Sequence, residues 1–259
     1  MSIRFLAAWF GLATLYGFPL AAQDFSWHGK VPAGKMVEIK GISGGIHARP
    51  STGSEVEVTA IKRAKRSDPS KVKIDVVQDE DGVTICSVYP SPNASHPNVC
   101  TAGEHSHSDV RDNDTEVEFT VSVPSGVRFI GRTVNGGVQV EGLDAEVRAY
   151  SVNGGITLST KGIAEASTVN GGITATVGRA DWADEAEFST VNGSVTLTLP
   201  ASLGAELEAS TVNGSIDSDF PLLVHGRISP KKITGTIGSG GPDLKLSTVN
   251  GSIRLRKAT

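Results

Sequence analysis

An all-β fold, organised as a parallel β-solenoid with about 17 to 22 residues per coil, is predicted by three observations. Thirty glycines, against two methionines and three tyrosines, favour turn-rich β structure, because a glycine inside a helix costs about 1 kcal/mol relative to alanine. A TVNG sequence or close variant returns six times from Thr133 onward. Apolar and polar residues alternate on both sides of each copy, the period of a strand with one buried face. An antiparallel meander is the alternative, since Asn-Gly between alternating strands is also a hairpin signal. Recurrence of the same letters at one coil length favours the solenoid, in which like residues stack about 4.8 Å apart.

Residues 1–22 have the layout of a secretory signal peptide: a lone Arg4, an apolar run from Phe5 to Leu15, then Gly17 and Pro19 ahead of Ala21 and Ala22. Cleavage after Ala22 would start the mature chain at Gln23; an uncleaved anchor is the alternative. No second apolar run follows that could span a bilayer. Losing Arg4 moves the formal charge from −4 to −5, which disfavours a nucleic-acid partner. In an exported chain Cys86 and Cys100 are expected to form a disulfide closing a short loop.

Residues 23–125 are expected to be a less regular β part, with alternating stretches MVEIKGI, EVEVTAIK, KVKIDVV and EVEFTVSVP. Tyr89 to Asp114 interrupts them with three prolines, Cys100 and several aspartates, and is expected to be one long stapled loop. His96, His105 and His107 lie there near Asp109, Asp112 and Asp114, but their spacing fits no closed zinc pattern, and a disulfide would consume both thiolates. No metal or cofactor is expected.

Residues 126–259 hold the repeat, continuous with the part before it. Its asparagines are Asn135, Asn153, Asn170, Asn192, Asn213 and Asn250, at spacings of 18, 17, 22, 21 and 37. Each is expected to mark a structural turn where a corner resets the pleat, with glycine supplying a positive φ. Within the last, double gap, KITGTIG carries Thr234 at the asparagine position and is expected to be a seventh, degenerate copy. GISGGIHA, with Ser43 there, is a candidate outlying copy. Arg148, Glu187, Glu206, Glu208 and Lys245 fall on the outward period, and Arg254, Arg256 and Lys257 are expected to guard the edge of a terminal coil.

FTVSVPSGVRF from Phe119, the TVNG series, GRADW from Gly178, DFPL from Asp219 and TGTIGSGGPDLKLSTVNGSI from Thr234 together give a resemblance. The chain resembles the bacterial putative-adhesin family of β-strand repeat proteins, a domain family of unknown function. The resemblance implies an exported, solenoid-like β fold and supplies no catalytic residues.

Two functions follow from different classes. The first is a non-catalytic exported scaffold or adhesin of the periplasm, cell surface or extracellular space, offering repeated rows to a surface, glycan or protein. Self-association through its terminal edges is compatible with it. The second is a carbohydrate-active β-helix enzyme, which would need clustered carboxylates; Asp217 with Asp219, or Glu187, Glu206 and Glu208, are its starting points. GSGG from Gly238 lacks the following Lys-Ser/Thr of a phosphate loop and is expected to be a tight turn. Trp27 and Trp182 are candidates for stacking on sugars or, alternatively, for core packing.

Overall fold

The computed structural model describes residues 25–103, 108–179, 182, 185–224 and 229–258. The expected signal peptide, His105 and His107 lie outside them. No helix among the described residues is long and apolar enough to cross a membrane.

Twenty-one strands and one 3₁₀ turn (Pro69–Lys71) make up the described chain. In order they are β1 (Phe25–Gly29), β2 (Met36–Lys40), β3 (Ile46–Pro50), β4 (Val56–Arg63), β5 (Lys73–Gln78), β6 (Gly82–Val88) and β7 (Glu116–Val123). Next come β8 (Arg128–Asn135), β9 (Val138–Leu143), β10 (Val147–Asn153), β11 (Ile156–Thr160), β12 (Ala164–Asn170), β13 (Ile173–Val177), β14 (Glu185–Asn192) and β15 (Val195–Leu199). The last are β16 (Ala205–Asn213), β17 (Ile216–Ser218), β18 (Leu222–Val224), β19 (Lys232–Ile237), β20 (Asp243–Asn250) and β21 (Ile253–Lys257).

They form two sheets, ordered β1-β4-β7-β3-β9-β11-β13-β15-β21-β17 and β18-β19-β16-β20-β14-β12-β10-β8-β2-β6-β5, here the first and second sheet. Each repeat copy puts its strand before the Asn-Gly corner in the second sheet and its strand after it in the first. Successive copies therefore pair in parallel, Asn on Asn, as in Asn153 with Asn135 and with Asn170. The meander is not how the repeats are arranged. Alternate residues point inward, and the buried Val, Ile, Leu, Ala and Phe side chains form one core cluster from Val31 to Leu255. One copy could not bury such a face alone; stacking closes it.

The order of the rungs departs from the order of the sequence at both ends. The β20–β21 copy, last in the chain, inserts between β14–β15 and β16–β17. At the other end β2–β3 lies inside β6–β7. Two expectations are corrected by this. The KITGTIG segment is not a seventh rung: it is β19, antiparallel to β16, with Thr234 opposite Glu208. Thr234 has no amide to enter an asparagine stack, and the late copy already occupies that place. Arg254, Arg256 and Lys257 do not guard an edge either, since β21 lies between β15 and β17.

Antiparallel strands close most of the remaining edges: β4 and β1 on the first sheet, β5 and the β19–β18 pair on the second. Among the described residues only β17 ends a sheet as a parallel strand, and it is three residues long. GISGGIHA does join the stack: Ser43 bridges Asn135 in parallel.

Candidate binding surface

The repeated letters T, N and G each build a ladder along the corner. Thr133, Ser151, Thr168, Thr190, Thr248 and Thr211 are buried, and each hydroxyl donates to a glycine carbonyl of the neighbouring rung at 2.8 to 3.0 Å. The asparagine amides form a chain. The Nδ2 of Asn153 donates to Oδ1 of Asn135, Asn170 to Asn153, Asn192 to Asn170, Asn250 to Asn192 and Asn213 to Asn250, at 2.7 to 2.8 Å. All these donors point the same way, so their dipoles add along the stack.

Between Thr and Asn the valines turn outward. Val134, Val152, Val169, Val191 and Val249 are each 39% exposed.

The corner glycines work differently from the expectation that they adopt positive φ. Only Gly44, of the outlying copy, does so among the first corner glycines. Elsewhere a Cβ would drive into the glycine carbonyl of the adjacent rung: Gly154 into Gly136, Gly171 into Gly154, Gly193 into Gly171. Glycine is demanded by how closely the rungs approach, while the carbonyl it approaches is the one that accepts the threonine hydroxyl.

The outward side of the first sheet carries two files of hydroxyls in register. Thr157, Thr174 and Thr196 form one, Ser159, Thr176 and Thr198 the other. Beneath them Ile156, Leu158, Ile173, Ala175, Val195 and Leu197 are buried, so the face is backed by core. Arg254 and Arg256 continue the two files on β21.

Charges on the second sheet are cross-paired. Lys245 stands between Glu187 and Glu208 in the register and binds Glu185 at 2.5 Å. Lys232 binds Glu208 at 2.7 Å, and this hydrogen bond holds the Glu208 carboxyl below its usual range. Glu206 accepts from Thr236. Asp217 and Asp219 grip one guanidinium, that of Arg256, at 2.8 and 2.9 Å.

Gly238, Gly240 and Gly241 all have positive φ, as a tight turn requires. Trp182 is 6% exposed and its indole donates to the carbonyl of Asp243; Trp27 packs partly buried on the core.

Cys86 and Cys100 are joined by a disulfide with Cα atoms 5.6 Å apart. It ties the loop after β6 to the second sheet at the rung where Lys40 pairs with Cys86. The Lys40 ammonium donates to the carbonyls of Thr101, at 2.7 Å, and Gly103. Beside it Glu38, 1% exposed, accepts from Arg132 at 3.0 Å and Thr84 at 3.2 Å. Sequence reasoning missed this network, because MVEIK looks like an ordinary strand with a wet side. The signal available was the cysteine pair, which brings a long loop back over that side. Arg132 also lies over the Tyr150 ring, 4.1 Å from its centroid. Burial raises the Tyr150 hydroxyl pKa, reinforced by its hydrogen bond to Glu165. In the same loop Tyr89 is pushed up to about 12 by burial and donates to the Thr115 carbonyl.

No group of three or more metal-ligating side chains is present among the described residues.

Residues 131–256 match the family model described as Toastrack DUF4097. The resemblance drawn from the TVNG series is thereby borne out. Comparison with curated proteins returns no match. Solved structures similar to the chain include a putative cell adhesion protein from Clostridium sporogenes, 11% identical over 90% of this chain and 99% of that one, TM-score 0.42. Others are putative adhesins from Bacteroides fragilis (13% identity, 90% and 96% covered, TM-score 0.27) and Parabacteroides distasonis (12%, 89% and 96%, TM-score 0.32).

Proposed function

We propose that the chain is a non-catalytic, exported protein of the cell envelope whose solenoid-like stack serves as a rigid binding scaffold, with adhesion to a surface, glycan or protein as its role. The observation that carries this reading is the hydroxyl face of the first sheet. Six uncharged Thr and Ser side chains stand in two files, in register, on a buried apolar layer. Such a face is pre-organised, so binding it costs little ordering entropy, and it suits a ligand that is itself repetitive.

The charges support the same reading. A glycan-cleaving site needs two carboxylates on opposite sides of the scissile bond. Asp217 and Asp219 instead share Arg256, and Glu206 and Glu208 are engaged by Thr236 and Lys232. We assign residues 1–22 to a signal peptide, 23–125 to the N-terminal part and 126–259 to the repeat, one continuous stack after the signal. Export predicts that a full-length chain is recovered outside the cytoplasm and that deleting residues 1–22 retains it inside. Self-association through the ends would use the edge strands β1, β5, β17 and β18, of which β17 and β18 are three residues long and suited only to weak pairing.

The direct test is binding of the purified chain to intact cells and to immobilised glycans and envelope proteins, beside a Thr174→Lys/Thr196→Lys variant. Binding that the double variant loses, at unchanged thermal stability, is the expected result. Equal binding by both proteins would remove the hydroxyl face from the mechanism.

A further inference from the structure

The copies differ at the second corner residue. It is glycine in Gly45, Gly137, Gly155 and Gly172, and serine in Ser194, Ser252 and Ser215. In stacking order the glycines occupy one half of the corner and the serines the other. Where it is serine, the hydroxyls bond along the stack: Ser215 to Ser252 at 3.2 Å, and the Ser252 amide to Ser194 at 3.1 Å. Where it is glycine no side chain projects from the corner, and over three of these copies, Gly45, Gly137 and Gly155, a cleft of about 490 Å³ opens, with the Glu118 carboxylate lying beside Gly45.

Its walls are mixed, with polar side chains set around an apolar and backbone floor. One side carries His47, Glu116 and Glu118; the other carries Asn135, Gln139 and Thr157. Glu118 is oriented, accepting the Gly45 amide at 3.0 Å with its second oxygen 3.8 Å from His47. Glu116 makes no hydrogen bond or ion pair among the described residues. The asparagine chain also ends here. Every amide donates toward Asn135, whose own Nδ2 meets no acceptor among the described residues, so the summed dipole presents a donor at the cleft.

We propose that this cleft binds a neutral glycan, with sugar hydroxyls donating to Glu116 and Glu118 and accepting from Asn135. Other ligand classes fit less well. An anion would face two carboxylates, and an apolar molecule would leave those carboxylates and the Asn135 amide unpaired. An amine would satisfy the carboxylates but leave the Asn135 amide without an acceptor. A sugar ring supplies donors and acceptors together. At Gly137 and Gly155 the floor carries no side chain, which lets a ring sit against backbone. Both carboxylates lie on one strand, β7, on one side of the cleft, an arrangement for holding a sugar and not for cleaving its bond. The inference rests on the surface-binding reading above and gives it a ligand class and a place.

The test is titration of the full chain with neutral, sialylated and amino-sugar oligosaccharides, beside Gly155→Ser and Glu116→Gln. Gly155→Ser copies what the serine rungs already carry, and its Cβ would meet the Gly172 carbonyl only at ordinary contact distance, 3.4 Å. Both variants are expected to fold normally and to weaken neutral-glycan binding at least tenfold. No neutral-glycan binding by the parent chain, equal binding by the variants, or preference for charged sugars would each overturn the proposal. Cell or envelope binding that survives Gly155→Ser but is lost in Thr174→Lys/Thr196→Lys would sink the cleft while sparing the scaffold reading; loss of neither would sink both.

Discussion

Each corner contains two neighbouring glycines or a glycine and a serine, and the two positions answer to different constraints. At Gly171 an added Cβ collides with the Gly154 carbonyl, whereas at Gly172 its nearest contact is the Ser194 carbonyl at 3.3 Å. Gly171→Ala must push two rungs apart across a hydrogen-bonded ladder, and is expected to cost about 3 kcal/mol or more. Gly172→Ser should cost under about 1 kcal/mol, because three other rungs carry serine there. Urea denaturation of the two variants checks the ranking; equal costs would mean that the rung spacing is softer than the ladders imply. A second residue-scale expectation concerns Asp114, whose carboxylate accepts the backbone amides of Ser67 and Arg66. The Ser67 bonds lead in holding its pKa down to about 2. A depressed carboxyl contributes stability above its unfolded pKa and loses it as pH falls through the folded value. Protection of the Ser67 amide, its exchange rate relative to that of an unfolded chain at the same pH, should therefore persist near pH 4 and fall as pH approaches 2, and Asp114→Asn should remove that change in protection. Protection that stays constant across this window in the parent chain would contradict the assignment.

At the scale of elements, the strands were legible because alternation is local. EVEVTAIK and EVEFTVSVP each became a single strand with every second residue buried over most of its length. The disulfide loop was legible as a loop, from its prolines and cysteines, but its anchoring was not. Whether Lys40 meets water or carbonyls depends on a segment some sixty residues away, and no pattern within β2 reports that. The network makes a prediction about which tether matters. Breaking a buried ion pair by removing one partner costs about 3 to 5 kcal/mol, while opening a disulfide across a loop of this size costs about 3. Glu38→Gln leaves Lys40 and Arg132 without their shared carboxylate and should lower the melting temperature at least as much as reduction of Cys86–Cys100 does. Thermal melts with and without a reducing agent, on parent and variant, separate the two. If reduction alone accounts for nearly all of the loss, the loop is held by the disulfide and the buried charges are incidental.

For the whole molecule, the repeat period announced stacking but not stacking order. The TVNG copies are nearly interchangeable, so their letters cannot say which copy lies beside which; that is decided by the long connections and by what caps the ends. The double gap of 37 residues was the visible trace of the departure, since it houses the β18–β19 flap that lets the final copy fold back inside. The candidate cleft was half legible: the split between NGG and NGS copies is in the sequence, but Glu116 and Glu118 reach it only because β6–β7 stacks outside β2–β3. Stacking order is testable by where burial falls. If copies stacked in chain order, Ile253 would belong to a terminal rung and Ile216 to an interior one. In the observed order Ile253 is fully buried between Val195 and Ile216, and Ile216 is only half-buried at the edge. Ile253→Ala should then cost about 3 to 5 kcal/mol and Ile216→Ala about 1 to 2, as expected for an enclosed and a half-open site. The reverse ranking in denaturant midpoints would restore the sequential stack, and with it the last copy as the guarded edge.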